Sequence, residues 1–258
     1  MKILISGLCG HMGKEVEKLA LDGYRDAVAV AGVDARNDGS SKIPCFASFG
    51  DAPVHVDAIV DFSHPSVTDD LLRFATANRI PLVIATTGHT SAQRAAIEEA
   101  SKQIPVFFAA NYSIGIALLC ELAKQTAAVL SDAEIEIVEK HHDRKLDAPS
   151  GTALAIADAI REVRPSATVH TGRSGNGKRT PEEIGIHAIR LGNIVGEHEV
   201  LIGTQNQIIT LRHEAHSRAL FAEGALAAAA FLQGRPAGLY NMKDIISLNQ
   251  NTKELVTP

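Results

Sequence analysis

The first half of the chain alternates short, wholly apolar runs with amphipathic stretches. Residues 2–6, 27–33, 58–62, 82–85 and 106–109 are the apolar runs, and their unbroken character marks strands buried on both faces. Between them, Met12, Val16, Leu19 and Ala20 recur at helical spacing up to a stop at Gly23. Residues 66–78 and 91–102 are also helical in pattern, with Pro81 and Pro105 ahead of the strands that follow. Strands alternating with helices of this length predict a doubly wound, Rossmann-like parallel sheet.

The pattern changes after about Asn111. A helix is predicted over residues 116–130. In residues 133–140, Ile135 and Ile137 then alternate with Glu134, Glu136 and Glu139, a period of two that describes a strand with one wet face. A further helix is expected over 152–163, a long polar loop over 164–181, strands over 185–190, 198–202 and 207–212, and a last helix over 217–232 before a short tail. The expectation is therefore an α/β chain of two domains. The dinucleotide-type domain spans 1–112, with 217–258 returning to it. A second α+β domain with a mixed sheet spans 113–216.

Composition narrows the function. The 258 residues carry 30 Asp and Glu against 25 Lys and Arg, a net charge of −5, so general nucleic-acid binding is not expected. No apolar run reaches the ~20 residues of a membrane span, and no signal-peptide pattern opens the chain. Cys9, Cys45 and Cys120 are far apart and in no metal-ligand spacing, which suits reduced thiols in the cytoplasm. No metal is expected.

Two segments carry candidate chemistry. After the first strand comes Gly7-Leu-Cys-Gly10-His-Met-Gly13, where glycines let a diphosphate approach the backbone and the helix that opens there offers unpaired N–H groups. Cys9 stands where the middle glycine of G-x-G-x-x-G would be, and a plain structural turn is the alternative reading. Asp34, about 20 residues on, has the position of a carboxylate that accepts ribose hydroxyls. Arg36 would instead suit a 2′-phosphate, so NADH and NADPH both stay open. Polar clusters at later strand ends, Asp61-Phe-Ser63, Thr86-Thr87-Gly88 and Asn111-Tyr-Ser113, have the positions that line such a ligand. The second segment is Glu139-Lys-His141-His142-Asp-Arg-Lys145-Leu-Asp147-Ala-Pro-Ser150-Gly151-Thr152. Its adjacent histidines cannot share a metal on a strand. Beside Lys140, Arg144 and Lys145 they form a cationic patch suited to a small carboxylated substrate, and Ser150-Gly151-Thr152 opens a helix able to grip a carboxylate; a plain solvated loop is the alternative reading.

Taken in order, Gly7-x-x-Gly10-x-Met12-Gly13, Asp61-Phe-Ser63, Thr86-Thr87-Gly88, Ala110-Asn111-Tyr112-Ser113, His141-His142-x-x-Lys145-x-Asp147-x-Pro-Ser-Gly-Thr152 and His213-Glu-Ala-His-Ser-Arg218 resemble the 4-hydroxy-tetrahydrodipicolinate (dihydrodipicolinate) reductase family. The resemblance implies reduction, with NADH or NADPH, of a cyclic dicarboxylate on the diaminopimelate route to lysine. It implies His141 as general acid/base and Lys145 as proton donor, with His142, Gly151 and Thr152 holding substrate carboxylates. It further implies cofactor contacts from Gly7, Leu8, Cys9, Gly10, His11, Met12, Asp34, Ala85, Thr86, Thr87, Ala109, Ala110, Asn111 and Tyr112, and a cytoplasmic homotetramer. Two departures stand out: Ala85 where relatives often have glycine, and Ala35 where some have an arginine serving NADPH. Rival readings are an amino-acid dehydrogenase on the same cofactor domain and a nucleotide-sensing regulator. The first leaves the doubled histidine unexplained, and the second lacks a basic face.

Overall fold

The computed structural model describes residues 1–247. The strands are β1 (Lys2–Ser6), β2 (Val28–Val33), β3 (Cys45–Phe46), β4 (Ala58–Asp61), β5 (Leu82–Ile84), β6 (Pro105–Phe108), β7 (Glu134–His141), β8 (Thr168–Thr171), β9 (Glu183–Arg190), β10 (Gly196–Thr204), β11 (Gln207–Ala215) and β12 (Gly238–Tyr240). The helices are α1 (His11–Leu21), α2 (Thr68–Ala77), α3 (Ser91–Ser101), α4 (Ile114–Val129), α5 (Gly151–Arg161) and α6 (Ala219–Leu232). They form two compact units, one of Met1–Ser113 with the described residues from Ala219 onward, the other of Ile114–Arg218.

The first unit is a parallel sheet in the order β12-β6-β5-β4-β1-β2-β3. Its central strands are apolar because both faces are covered: Ile3, Leu4, Ile5, Ile59, Val60, Leu82 and Val83 are fully buried. α2 and α3 pack over one core of Leu4, Ile59, Leu71, Ile84 and Ile97, and α3 starts at a capping box in which Thr90 and Gln93 bond reciprocally. α6 packs against α1 and β4 to β6; its glycine at 224 is required, since a Cβ there would lie 1.7 Å from the Tyr112 carbonyl oxygen. Chain order reverses at β1, which has β2 on one side and β4 on the other. In such sheets ligands bind outside the carboxyl ends of the strands at that point.

The second unit is a mixed sheet, order β11-β10-β7-β9-β8, in which β10 runs antiparallel to β7 and β11 while β7, β9 and β8 are parallel. The period of two along β7 buries Ile135, Ile137, Glu139 and His141 on one side. Ile135 and Ile137 join Ile116, Ile156, Ile160 and Val200 in the core beneath α4 and α5.

Three strands depart from the pattern-based expectation. β3 has two residues and β12 three, too few for any periodicity. β8 lies inside the expected loop, and all four of its residues are exposed; its backbone pairing with β9, rather than a buried face, makes it a strand. Part of the expected tail thus adds β12 to the edge of the first sheet, while residues 248–258 lie outside the described residues.

Candidate active site

In the first unit, β1 ends at Ser6 and the chain turns at Gly7, whose φ is +81°. A Cβ on Gly7 would lie 2.5 Å from the Phe62 carbonyl oxygen, and one on Gly13 would lie 2.1 Å from the Gly7 carbonyl oxygen. Only glycine lets the turn and α1 pack this closely. Gly10 occupies the N-cap of α1 and supplies no side-chain cap, leaving that first turn's N–H groups for an anion. The Asp34 carboxylate is held by two main-chain donors, the Cys9 N–H at 3.0 Å and the Arg36 N–H at 2.9 Å. Arg36 itself is 81% exposed, with its Nε 3.9 Å from that carboxylate. A cavity of about 510 Å³ runs past Gly7, Gly10, Asp34, Arg36, Phe62 and His64.

The remaining predicted contacts differ in what they can offer. Leu8 is fully buried and fills the space beside Gly32, so only its backbone faces the turn. His11 is exposed and Met12 half-buried at the start of α1. At the strand ends, Ser63 donates its N–H to Thr86 Oγ1 at 2.8 Å and its hydroxyl to Asp61 at 2.5 Å. Burial pushes the Asp61 carboxyl above its ordinary range, against the Ser63, Thr86 and Ser6 hydrogen bonds. Ala85 and Thr86 are buried and Thr87 exposed. Tyr112 turns its hydroxyl inward to the Ile84 and Phe107 carbonyls, at 2.8 and 3.1 Å, so its side chain serves the core. Asn111 caps the following backbone through Ser113 N–H; Ala109 is half-buried and Ala110 exposed. The uncapped helix start, the glycine cradle and the fixed carboxylate fit a dinucleotide's diphosphate and ribose.

The second unit presents a different construction. Glu139, 0% exposed, accepts His141 Nδ1–H at 2.6 Å and Ser150 N–H at 2.9 Å. Arg190 closes on both carboxylate oxygens at 2.8 Å each. Burial opposes ionisation of Glu139, but the His141 and Arg190 bonds and the Ser150 N–H outweigh it, so its carboxyl falls to about 2. The His141 ring, 10% exposed, turns its Nε2 edge to Gly196, where a Cβ would come within 3.1 Å. His198 packs edge-on to it at 5.1 Å, with Nε2 3.1 Å from Ser150 Oγ. Burial first, and the neighbouring His141 second, push the His198 imidazole down to about 4. Ser150 accepts the Ala153 N–H as N-cap of α5, which leaves Gly151 exposed and Thr152 half-buried at the helix start. His142 is half-buried, and burial together with Arg144, Arg218 and other cations lowers its pKa.

The cationic patch expected here is largely neutralised. Lys140 pairs with Glu197 at 2.9 Å, Arg144 with Asp143 at 2.8 Å, and Lys145 with Asp147 at 2.8 Å. Asp143 and Asp147 belong to the segment itself, and Glu197 reaches Lys140 from β10. The motif pattern gives no role to Glu139, Arg190, Gly196 or His198. Only Glu139 had a local signal: it lies two residues before His141 on an alternating strand, hence on the same face. No group of described residues has the make-up of a metal site.

Comparison with known proteins covers both units. The family model described as "Dihydrodipicolinate reductase, N-terminus" matches residues 1–112, and "Dihydrodipicolinate reductase, C-terminus" matches residues 115–246. The 4-hydroxy-tetrahydrodipicolinate reductase of Caldanaerobacter subterraneus subsp. tengcongensis is 46% identical over 248 residues, covering 95% of this chain and 98% of the relative. That of Clostridium novyi is 43% identical over 247 residues, with the same two coverages. A dipicolinate-bound dihydrodipicolinate reductase from Paenisporosarcina sp. TG-14 superposes with a TM-score of 0.79 at 28% identity, covering 93% of this chain and 97% of that one. Aspartate dehydrogenase from Thermotoga maritima, at 15% identity and TM-score 0.52, shares the fold alone. With both halves matched in order and relatives alike over nearly their whole length, the chain belongs to the dihydrodipicolinate reductase family.

Proposed function

We propose that this protein is an NAD(P)H-dependent 4-hydroxy-tetrahydrodipicolinate reductase of lysine and diaminopimelate biosynthesis. The net reaction adds a hydride and a proton to the ring of 4-hydroxy-tetrahydrodipicolinate and releases water, giving tetrahydrodipicolinate. The observation that carries this reading is the buried Glu139–His141 pair at the N-terminus of α5, in a chain of this family. The nicotinamide cofactor, when bound, supplies the hydride. Gly7, Gly10 and the start of α1 take its diphosphate and Asp34 its ribose. Backbone at Leu8, Cys9, His11, Met12, Ala85, Thr86, Thr87 and 109–112 completes the contact.

His141 holds the proton that balances the hydride, a role suited to an imidazole whose other ring nitrogen is fixed by a carboxylate. Lys145 is the second proton donor, and its ammonium stabilises negative charge developing on the ring; it must exchange Asp147 for the substrate to do so. His142 and the Gly151 and Thr152 N–H groups hold the carboxylates, the latter through the helix N-terminus. The second unit is thus the substrate domain, and we further place the homotetramer contact on its sheet. Exposed Ile208 and Ile209 on edge strand β11 support that placement. Three free cysteines support a cytoplasmic site of action.

A spectrophotometric assay with enzymatically generated substrate, following loss of NADH and NADPH absorbance separately, tests the reading. Substrate-dependent oxidation of either nucleotide is expected; none with either would overturn it. Light scattering on an eluting peak checks the tetramer.

A further inference from the structure

The Glu139 carboxylate is saturated in a way that a structural ion pair does not require. An ionised carboxylate has about four acceptor sites, and all four are used: His141 Nδ1–H and one Arg190 N–H on Oε2, Ser150 N–H and a second Arg190 N–H on Oε1. An Arg–Glu pair buried only for stability would be replaceable by apolar side chains at little or no cost. Here one of the four bonds is to the candidate acid/base and another to the residue that caps the candidate carboxylate grip.

We infer that Glu139, balanced by Arg190, is the positioning residue of the reaction, holding the transferable proton on His141 Nε2 and keeping that ring in register with the start of α5. The inference rests on the function proposed above. A carboxylate in this state only accepts, so Nδ1 keeps its hydrogen in both ring states and the mobile proton belongs to Nε2, the edge turned to Gly196. Through Ser150 the same carboxylate fixes the first residue of the anion-binding turn. Through Arg190, which also donates to the Asp147 carbonyl at 2.6 Å, it fixes the loop in which Asp147 holds Lys145. Acid, carboxylate grip and ammonium therefore share one buried anchor.

The charged and titratable neighbours of His141 are Glu139 on its own strand, Arg190 on β9, His198 on β10 with His213 beyond it on β11, and His142, Lys145 and Asp147 from the loop before α5. His198 is pushed down to about 4, so Glu139, bonded to the ring, and Arg190, bonded to Glu139, are the opposed charges joined directly to it. Removing each must move the reaction's pH dependence in opposite directions, which loss of folding stability alone would not do.

The test compares wild type with Glu139→Gln and Arg190→Gln. In E139Q, kcat is expected to fall about 10²-fold with KM for NADH within about threefold, and the alkaline limb of kcat to move to lower pH by about one unit. In R190Q the limb moves to higher pH. Nitrogen-15 spectra of the wild-type imidazole are expected to show hydrogen on Nδ1 in the neutral ring, a reading independent of turnover. Limbs that stay put or move together, or a neutral ring protonated on Nε2, would overturn the inference. Should E139Q fail to fold, R190Q decides alone, with an unchanged or lowered limb counting against it. Wild type inactive with both nucleotides would instead sink the proposed function, while the tautomer spectrum would still judge the geometry.

Discussion

The two candidate sites are held in shape by opposite means. In the first unit the chain uses its backbone: glycines at 7 and 13 that admit no side chain, an uncapped helix start, and one carboxylate held by two main-chain N–H groups. In the second it uses buried side-chain charge, with Glu139, Arg190 and His141 closed on one another and His198 beside them. A backbone site is rigid because sterics leave no alternative. A site of buried charge holds only while each group keeps its partner, since an unpaired buried charge costs several kcal/mol. Its properties therefore change with pH, and those of the glycine turn do not.

The comparison breaks most directly at its centres. His141→Ala is expected to lower kcat by about 10²-fold or more while calorimetry finds NADH affinity unchanged. Gly13→Ala should do the reverse. With 2.1 Å between the new Cβ and the Gly7 oxygen, the turn must open at a cost of about 2–3 kcal/mol, and NADH binding should weaken by at least tenfold in the same calorimeter.

Acid stability sharpens the contrast at intermediate size. His198 is held neutral with its pKa near 4, against about 6.5 unfolded. The unfolded chain therefore takes up a proton that the native chain refuses, and stability drains away between pH 6.5 and 4, by about 2–3 kcal/mol. Glu139 works in a lower window: its carboxyl is depressed to about 2, so its contribution is intact above about 4.5 and is lost below that. Urea midpoints across pH 4–7 should show the first loss in wild type and a smaller one in His198→Gln, where the lowered His142 and His213 still contribute. The smallest effect concerns Cys45, whose thiol burial and Cys9 push up to about 11. Alkylation of Cys45 at pH 8 should run at least tenfold slower than that of an exposed peptide thiol, by mass spectrometry.

Much of the fold was legible in the chain, and the reason is periodicity. Continuous apolar runs announce the strands of the first sheet because helices cover both of its faces, and alternation announces β7 because only one of its faces is buried. What escaped were β3, β8 and β12, which are short or exposed and depend on a neighbouring backbone. At the site, Gly7 to Gly13, Asp34, the doubled histidine and Ser150-Gly151-Thr152 stood out because local chemistry demands them. Arg190 and His198 did not: they sit 51 and 48 residues from the groups they bond, and nothing in their own surroundings distinguishes them.

By itself the sequence determined the alternation of elements, the glycine turn and the family, each a property of neighbouring residues or of motifs in order. Tertiary structure alone decided which distant charges of the second site meet. It paired Lys140 with Glu197, brought Arg190 to Glu139, and turned Tyr112 into the core. The physical reason is range: backbone propensity and apolar periodicity act over a few residues, whereas electrostatic pairing acts through space between groups that only the folded sheet makes neighbours.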